Sequence, residues 1–144
     1  MTAVAVRPTL EPAPPLPATV WIVEDEPDVA ELAVDICALN GAAAAVFPDG
    51  QTFLAALRSA QAPRVLILDW RLERGLSAPL FMTARHHRPG LPVIFWTGTA
   101  SSALPTMIRD DPLAVVVDKA DGADTFESAL RSALAIAEGH AQQG

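Results

Sequence analysis

Val20-Trp21-Ile22-Val23 is a four-residue apolar run that ends abruptly in three carboxylates, Glu24-Asp25-Glu26. The pattern recurs twice. Val65-Leu66-Ile67-Leu68 runs into Asp69, and Val115-Val116-Val117 runs into Asp118-Lys119, where Lys119 is the only lysine of the chain. Short, continuous apolar runs separated by helix-like segments read as strands of a parallel sheet buried on both faces. In an open parallel sheet, ligands bind beyond the carboxyl ends of the strands. The charged ends of the three runs therefore meet at one edge, as several carboxylates and one ammonium. Crowded carboxylates suit a divalent cation with oxygen ligands, and the ammonium suits an anion, which points to metal-assisted phosphate chemistry.

Between these runs the signals alternate. A strand over 19–23 leads to a helix opening at Pro27, a favoured first-turn residue, with Asp28 and Glu31 placed well for the helix dipole. Val29, Leu32, Ala33, Ile36 and Cys37 recur at helical spacing, and Asn40-Gly41 stop the helix. Residues 42–47 form a second strand, poor in strand formers because of its alanines. Asp49 caps a second helix with Phe53, Leu54 and Leu57 on its apolar face. After the strand over 65–68, a third helix spans 79–87 and ends at Pro89-Gly90. A fourth strand covers 93–96, a fourth helix interrupted by Pro105 covers 101–109, and a fifth strand covers 113–117. The last helix opens with Asp124-Thr125-Phe126-Glu127, spaced as a capping box, and carries Phe126, Leu130, Ala133, Leu134 and Ala137 on one face. Five strands alternating with five helices predict a doubly wound α/β domain with helices on both faces. This domain spans 19–139. It follows a proline-rich arm, residues 1–18, with five prolines, and precedes a short tail, 140–144, expected to fray. No internal repeat is evident.

Composition narrows the function. With 51% hydrophobic and 19% charged residues over 144 positions, the chain is built to bury a core. A formal net charge of −7 and dispersed arginines argue against a nucleic-acid footprint. No apolar run is long enough to span a bilayer, so no membrane partner is expected. The single cysteine, Cys37, excludes an internal disulfide and fits the reducing cytoplasm. It lies on an apolar helical stripe, as a packing residue does. His86 and His87 end the third helix, where cations suit the dipole, and a metal site there needs further ligands.

Taken singly, the charged residues have ordinary readings. Acidic residues favour a helix N-terminus, an aspartate after a strand caps a loop, a lone lysine is solvated, and Thr97 before Gly98 suits a turn. Together, an acidic pair after strand 1, an aspartate after strand 3, a threonine after strand 4 and a lysine after strand 5 resemble the receiver domain of bacterial two-component response regulators. The matching residues are Glu24-Asp25, Asp69, Thr97 and Lys119, and the similarity covers roughly residues 19–138. The resemblance implies a flavodoxin-like fold with strand order 2-1-3-4-5. It implies that Asp69 is a phosphoacceptor. Asp25, Asp69 and the backbone carbonyl of Arg71 would ligate Mg²⁺, with Glu24 acting through a water. Lys119 would pair with Asp69 and then with a phosphoryl oxygen, to which Thr97 would also donate.

A histidine kinase or phosphotransfer protein is the implied phosphoryl source. The output is contact with an unidentified downstream protein, with room for a homodimer. Two departures stand out: Ala120 follows the lysine where the family commonly has proline, and Val116 occupies the strand-5 position that commonly holds Tyr or Phe. The rival readings are a degenerate receiver acting as a binding module or phosphate sink, and an aspartyl-phosphate phosphatase of the haloacid-dehalogenase type. The phosphatase wants a second aspartate two residues after its nucleophile, where this chain has Arg71, and an acidic pair after its lysine, whereas Glu24-Asp25 come first.

Overall fold

The computed structural model describes residues 19–59, 62–73 and 75–143; the proline-rich arm lies outside the described residues. Five strands, β1 (Val20–Val23), β2 (Ala44–Phe47), β3 (Val65–Leu68), β4 (Val93–Thr97) and β5 (Ala114–Asp118), form one sheet in the order β2-β1-β3-β4-β5. Every neighbouring pair is parallel. Helices α1 (Pro27–Leu39), α2 (Gly50–Leu57), α3 (Ala78–His87), α4 (Thr106–Arg109) and α5 (Ala123–Gln143) connect and flank the strands. This is the flavodoxin-like, doubly wound arrangement expected from the alternation of runs.

The two-residue period of the strands sorts their side chains into two cores. Trp21, Leu66, Leu68 and Phe95 face one side with Phe53 of α2, Phe81 of α3 and Ile108 of α4. Val20, Ile22, Ile67, Ile94 and Trp96 face the other with Ile36 of α1 and Phe126 and Leu130 of α5. The indole of Trp96 stacks on Phe126, with ring centroids 4.2 Å apart and planes 20° from parallel. β1, β3 and β4 are buried at every residue. The edge strands β2 and β5 are only partly covered, which is why β2 tolerates alanines: parallel pairing with β1 holds it in place of intrinsic propensity.

Caps follow local chemistry. Pro27 opens α1, and Gly41 at φ 74° follows its end. The Asp49 carboxylate accepts the Thr52 N–H at 2.8 Å at the head of α2. Three expectations are revised. Residues 101–109 are not one helix but a 3₁₀ turn, Ser101–Ala103, followed by the four-residue α4; Pro105, lacking an N–H, sits extended at φ −61° and ψ 153° between them. The capping box at 124–127 does not form. α5 starts at Ala123, and the Glu127 carboxylate instead accepts the Asn40 side-chain N–H at 2.9 Å, tying α5 to the end of α1. The backbone of α5 stays helical to Gln143, past the point where the tail was expected to fray. One element was not expected: Arg71–Leu72 pairs antiparallel with Gly75–Leu76 in a small hairpin after β3.

Arg85 is a second long-range tie. Its guanidinium forks onto Asp111, with Nε at 2.9 Å and an Nη at 3.1 Å from the two carboxylate oxygens. It also donates to the carbonyls of Arg88, Pro89 and Leu91. One side chain thereby fixes the α3–β4 turn and the α4–β5 loop. Removing a partly buried, bidentate pair strands its partner. Arg85→Ala is expected to cost about 2 kcal/mol of unfolding free energy, read as a fall in the urea midpoint at unchanged slope; an unmoved midpoint would show that the network carries no stability.

Candidate functional site at the carboxyl edge of the sheet

Because all five strands run the same way, the residues that end β1, β3, β4 and β5 gather at one edge. Glu24, Asp25 and Asp69 each offer a carboxylate oxygen, and these oxygens lie within 4.8 Å of one another. No other group of three such side chains able to hold a metal occurs among the described residues. Glu24 is 4% exposed and Asp69 8%, so their charges are largely removed from water. Lys119, which begins a 3₁₀ turn immediately after β5, compensates them. Its Nζ donates to Asp69 Oδ2 at 2.9 Å and lies 3.1 Å from Glu24 Oε1. Main-chain groups complete the cradle: the Glu26 N–H donates to Glu24 Oε2 at 3.2 Å, and the Arg71 N–H to Asp69 Oδ1 at 3.3 Å.

The electrostatics follow from this packing. Burial pushes the Glu24 carboxyl above its usual range; the hydrogen bond and charge of Lys119 pull it back, and Asp69 adds to the rise. Burial pulls the Lys119 ammonium down, but the hydrogen bonds and charges of Asp69 and Glu24 outweigh it, and the lysine is held above its ordinary value. One ammonium does not balance three carboxylates. An all-oxygen donor set with surplus negative charge fits a hard divalent cation such as Mg²⁺.

Thr97 ends β4, paired in register with Asp118 of β5, and is 1% exposed. Its Oγ1 accepts the Thr99 N–H at 3.2 Å. The sequence-derived residues Glu24, Asp25, Asp69 and Lys119 are thus brought together, with the Arg71 main chain bonded to Asp69 and Thr97 at the end of the adjacent strand. Candidates outside the site stay apart. Cys37 is fully buried and its thiol is pushed up to about 11 by burial. The His86 and His87 rings lie 6.2 Å apart at the exposed end of α3. Sequence reading named Asp118 only as a charged end of the last apolar run; its carboxylate accepts the Ala120 N–H at 2.8 Å, a contact that exists only once the turn after β5 has formed.

Fold and site together define a flavodoxin-like α/β domain with a lysine-countered acidic pocket at the carboxyl edge of its sheet. The chain belongs to the response regulator receiver domain family, whose model matches residues 20–131. Solved structures agree. The N-terminal domain of a response regulator/sensory box/GGDEF three-domain protein from Carboxydothermus hydrogenoformans superposes with a TM-score of 0.70 at 22% identity, over 85% of this chain and 98% of that one. A CheY-like receiver domain protein from Methanospirillum hungatei JF-1 gives 0.69 at 19% identity, over 87% and 97%. SdrG from Sphingomonas melonis Fr1 gives 0.61 at 25% identity, over 83% and 95%. Comparison with curated proteins finds no match. Receiver domains are signalling modules of two-component systems. Among the described residues, no helix is long and apolar enough to cross a membrane.

Removing the ammonium leaves Glu24 and Asp69 buried without their cation, and Glu24 then titrates higher still. A carboxyl whose folded pKa is raised opposes folding above that pKa and ceases to do so once protonated. Lys119→Met is therefore expected to lower the urea midpoint near pH 8, with the deficit shrinking as the pH falls to about 5. A deficit that grows toward low pH contradicts this assignment.

Proposed function

We propose that this receiver accepts a phosphoryl group on Asp69 from a histidine kinase or a histidine phosphotransfer protein and signals by protein contact in the cytoplasm. The observation that carries the reading is the placement of Lys119 Nζ 2.9 Å from Asp69 Oδ2 inside a carboxylate cluster. In the transfer, a carboxylate oxygen of Asp69 forms a bond to phosphorus as the donor's phosphorus–nitrogen bond breaks, giving an acyl phosphate. Mg²⁺, held by Asp25, Asp69 and the Arg71 carbonyl with Glu24 behind a water, would screen the charge of donor and acceptor.

Lys119 keeps its salt bridge to Glu24 while its ammonium turns from the carboxylate to a phosphoryl oxygen. Thr97 already uses its hydroxyl as an acceptor for Thr99 N–H, so its own O–H is the group left to donate to a second oxygen. A buried hydroxyl drawn toward new negative charge biases a pre-existing equilibrium on the α4–β5–α5 face. With Val116 at the position where the family commonly has an aromatic, that bias runs without a tyrosine, and a phosphate-sink role is the rival outcome.

Intact mass after incubation with acetyl phosphate and Mg²⁺ tests the reading. The expected result is a single added phosphoryl group, lost in Asp69→Asn and greatly slowed in Lys119→Met. No addition to the wild type indicates a degenerate receiver acting as a binding module. Steady phosphate release from unrelated phosphoesters indicates a phosphatase, and labelling that persists in Asp69→Asn removes the acceptor assignment.

A further inference from the structure

Lys119 is useful only if its ammonium is delivered to the right place, and a lysine side chain by itself is flexible. What fixes its starting point is the backbone turn on which it sits. β5 ends at Asp118, still extended at φ −78° and ψ 128°. The chain then bends sharply into the 3₁₀ turn Lys119–Asp121, and Gly122, at φ 89°, redirects it into α5. That glycine is in the left-handed region, where a side chain would be strained. The first N–H groups of such a turn have no partner within it. The Asp118 carboxylate supplies one: Oδ1 accepts the Ala120 N–H at 2.8 Å. The backbone hydrogen bond that closes the turn, from Gly122 N–H back to the Lys119 carbonyl, is long at 3.5 Å. From this turn Lys119 Nζ reaches both Asp69 at 2.9 Å and Glu24 at 3.1 Å.

We propose that Asp118 is a positioning residue for phosphoryl transfer: by holding the Ala120 N–H, its carboxylate sets the turn from which Lys119 spans Glu24 and Asp69. Its action on phosphoryl transfer rests on the phosphoacceptor reading above; its action on Lys119 does not. The role requires an acceptor oxygen at Asp118 Oδ1 and does not require its negative charge. Asparagine therefore replaces it and alanine does not.

Three readouts test the proposal. Lys119 is the only lysine, so acylation by an amine-reactive ester, mapped by peptide mass to distinguish the N-terminal amine, reports directly how firmly Nζ is held. Asp118→Ala is expected to raise the acylation rate of Lys119 about fivefold and to slow labelling by acetyl phosphate by about the same factor. Asp118→Asn is expected to stay within about twofold of the wild type in both. Unchanged acylation in Asp118→Ala overturns the proposal. So does Asp118→Asn behaving like Asp118→Ala, because the effect then belongs to charge. A wild-type Ala120 amide that exchanges with solvent as freely as an unstructured one also overturns it, whatever the variants' folding. Failure of the wild type to label, with the acylation pattern intact, would defeat the phosphoacceptor reading and leave the positioning of Lys119 standing.

Discussion

Two buried carboxylates and one ammonium set the terms for this edge of the molecule. Glu24 and Asp69 are anchored on adjacent parallel strands, β1 and β3, so the register that pairs Val23 with Leu68 also forces their carboxylates together. Like charges at that distance, largely out of water, are costly unless a cation shares them. Lys119 arrives from the edge strand, two strands away from β3, and its reach closes the site. Every other element can be read as holding those three side chains in place: the double-sided core fixes the strands, and the turns at their ends aim the groups.

The rigidity is uneven. β1, β3 and β4 are buried at every residue and carry Glu24, Asp69 and Thr97 at their ends. β5, which delivers the lysine, is partly exposed, and Val115 is open to solvent. It is followed by a turn with few hydrogen bonds and preceded by a four-residue helix held by Pro105 and the Arg85–Asp111 fork. The acidic half of the site is therefore set on strands locked into the core, and its cationic half on the more exposed edge. The stack of Trp96 on Phe126 links the strand that carries Thr97 to α5.

Much of this was legible from the residues. Continuous apolar runs identified the strands because a parallel sheet covered on both faces demands them, and their charged ends identified Glu24, Asp25, Asp69 and Lys119 because parallel strands share one carboxyl edge. Asp49 and Gly41 announced helix ends through chemistry local to them. What was not legible depended on partners distant in sequence or on turns that form only in the folded chain. Glu127 had the spacing to bond its own helix start, but Asn40, 87 residues away, took it. Arg85 looked like one scattered arginine until the fold brought Asp111 to it. The hairpin at 71–76 has neither an alternating pattern nor length, and Asp118 hid behind the lysine beside it, its role visible only once the turn placed the Ala120 N–H within reach.

The most direct test is a crystal structure of the full chain grown with Mg²⁺ and beryllofluoride, a mimic of the phosphoryl group. The account predicts beryllium bonded to a carboxylate oxygen of Asp69, one magnesium ligated by Asp25 and Asp69, and the Lys119 ammonium within about 3 Å of a fluorine, the Thr97 hydroxyl facing another. Beryllofluoride on any other side chain, or Lys119 turned away from the acidic pocket while Asp69 is modified, would contradict it.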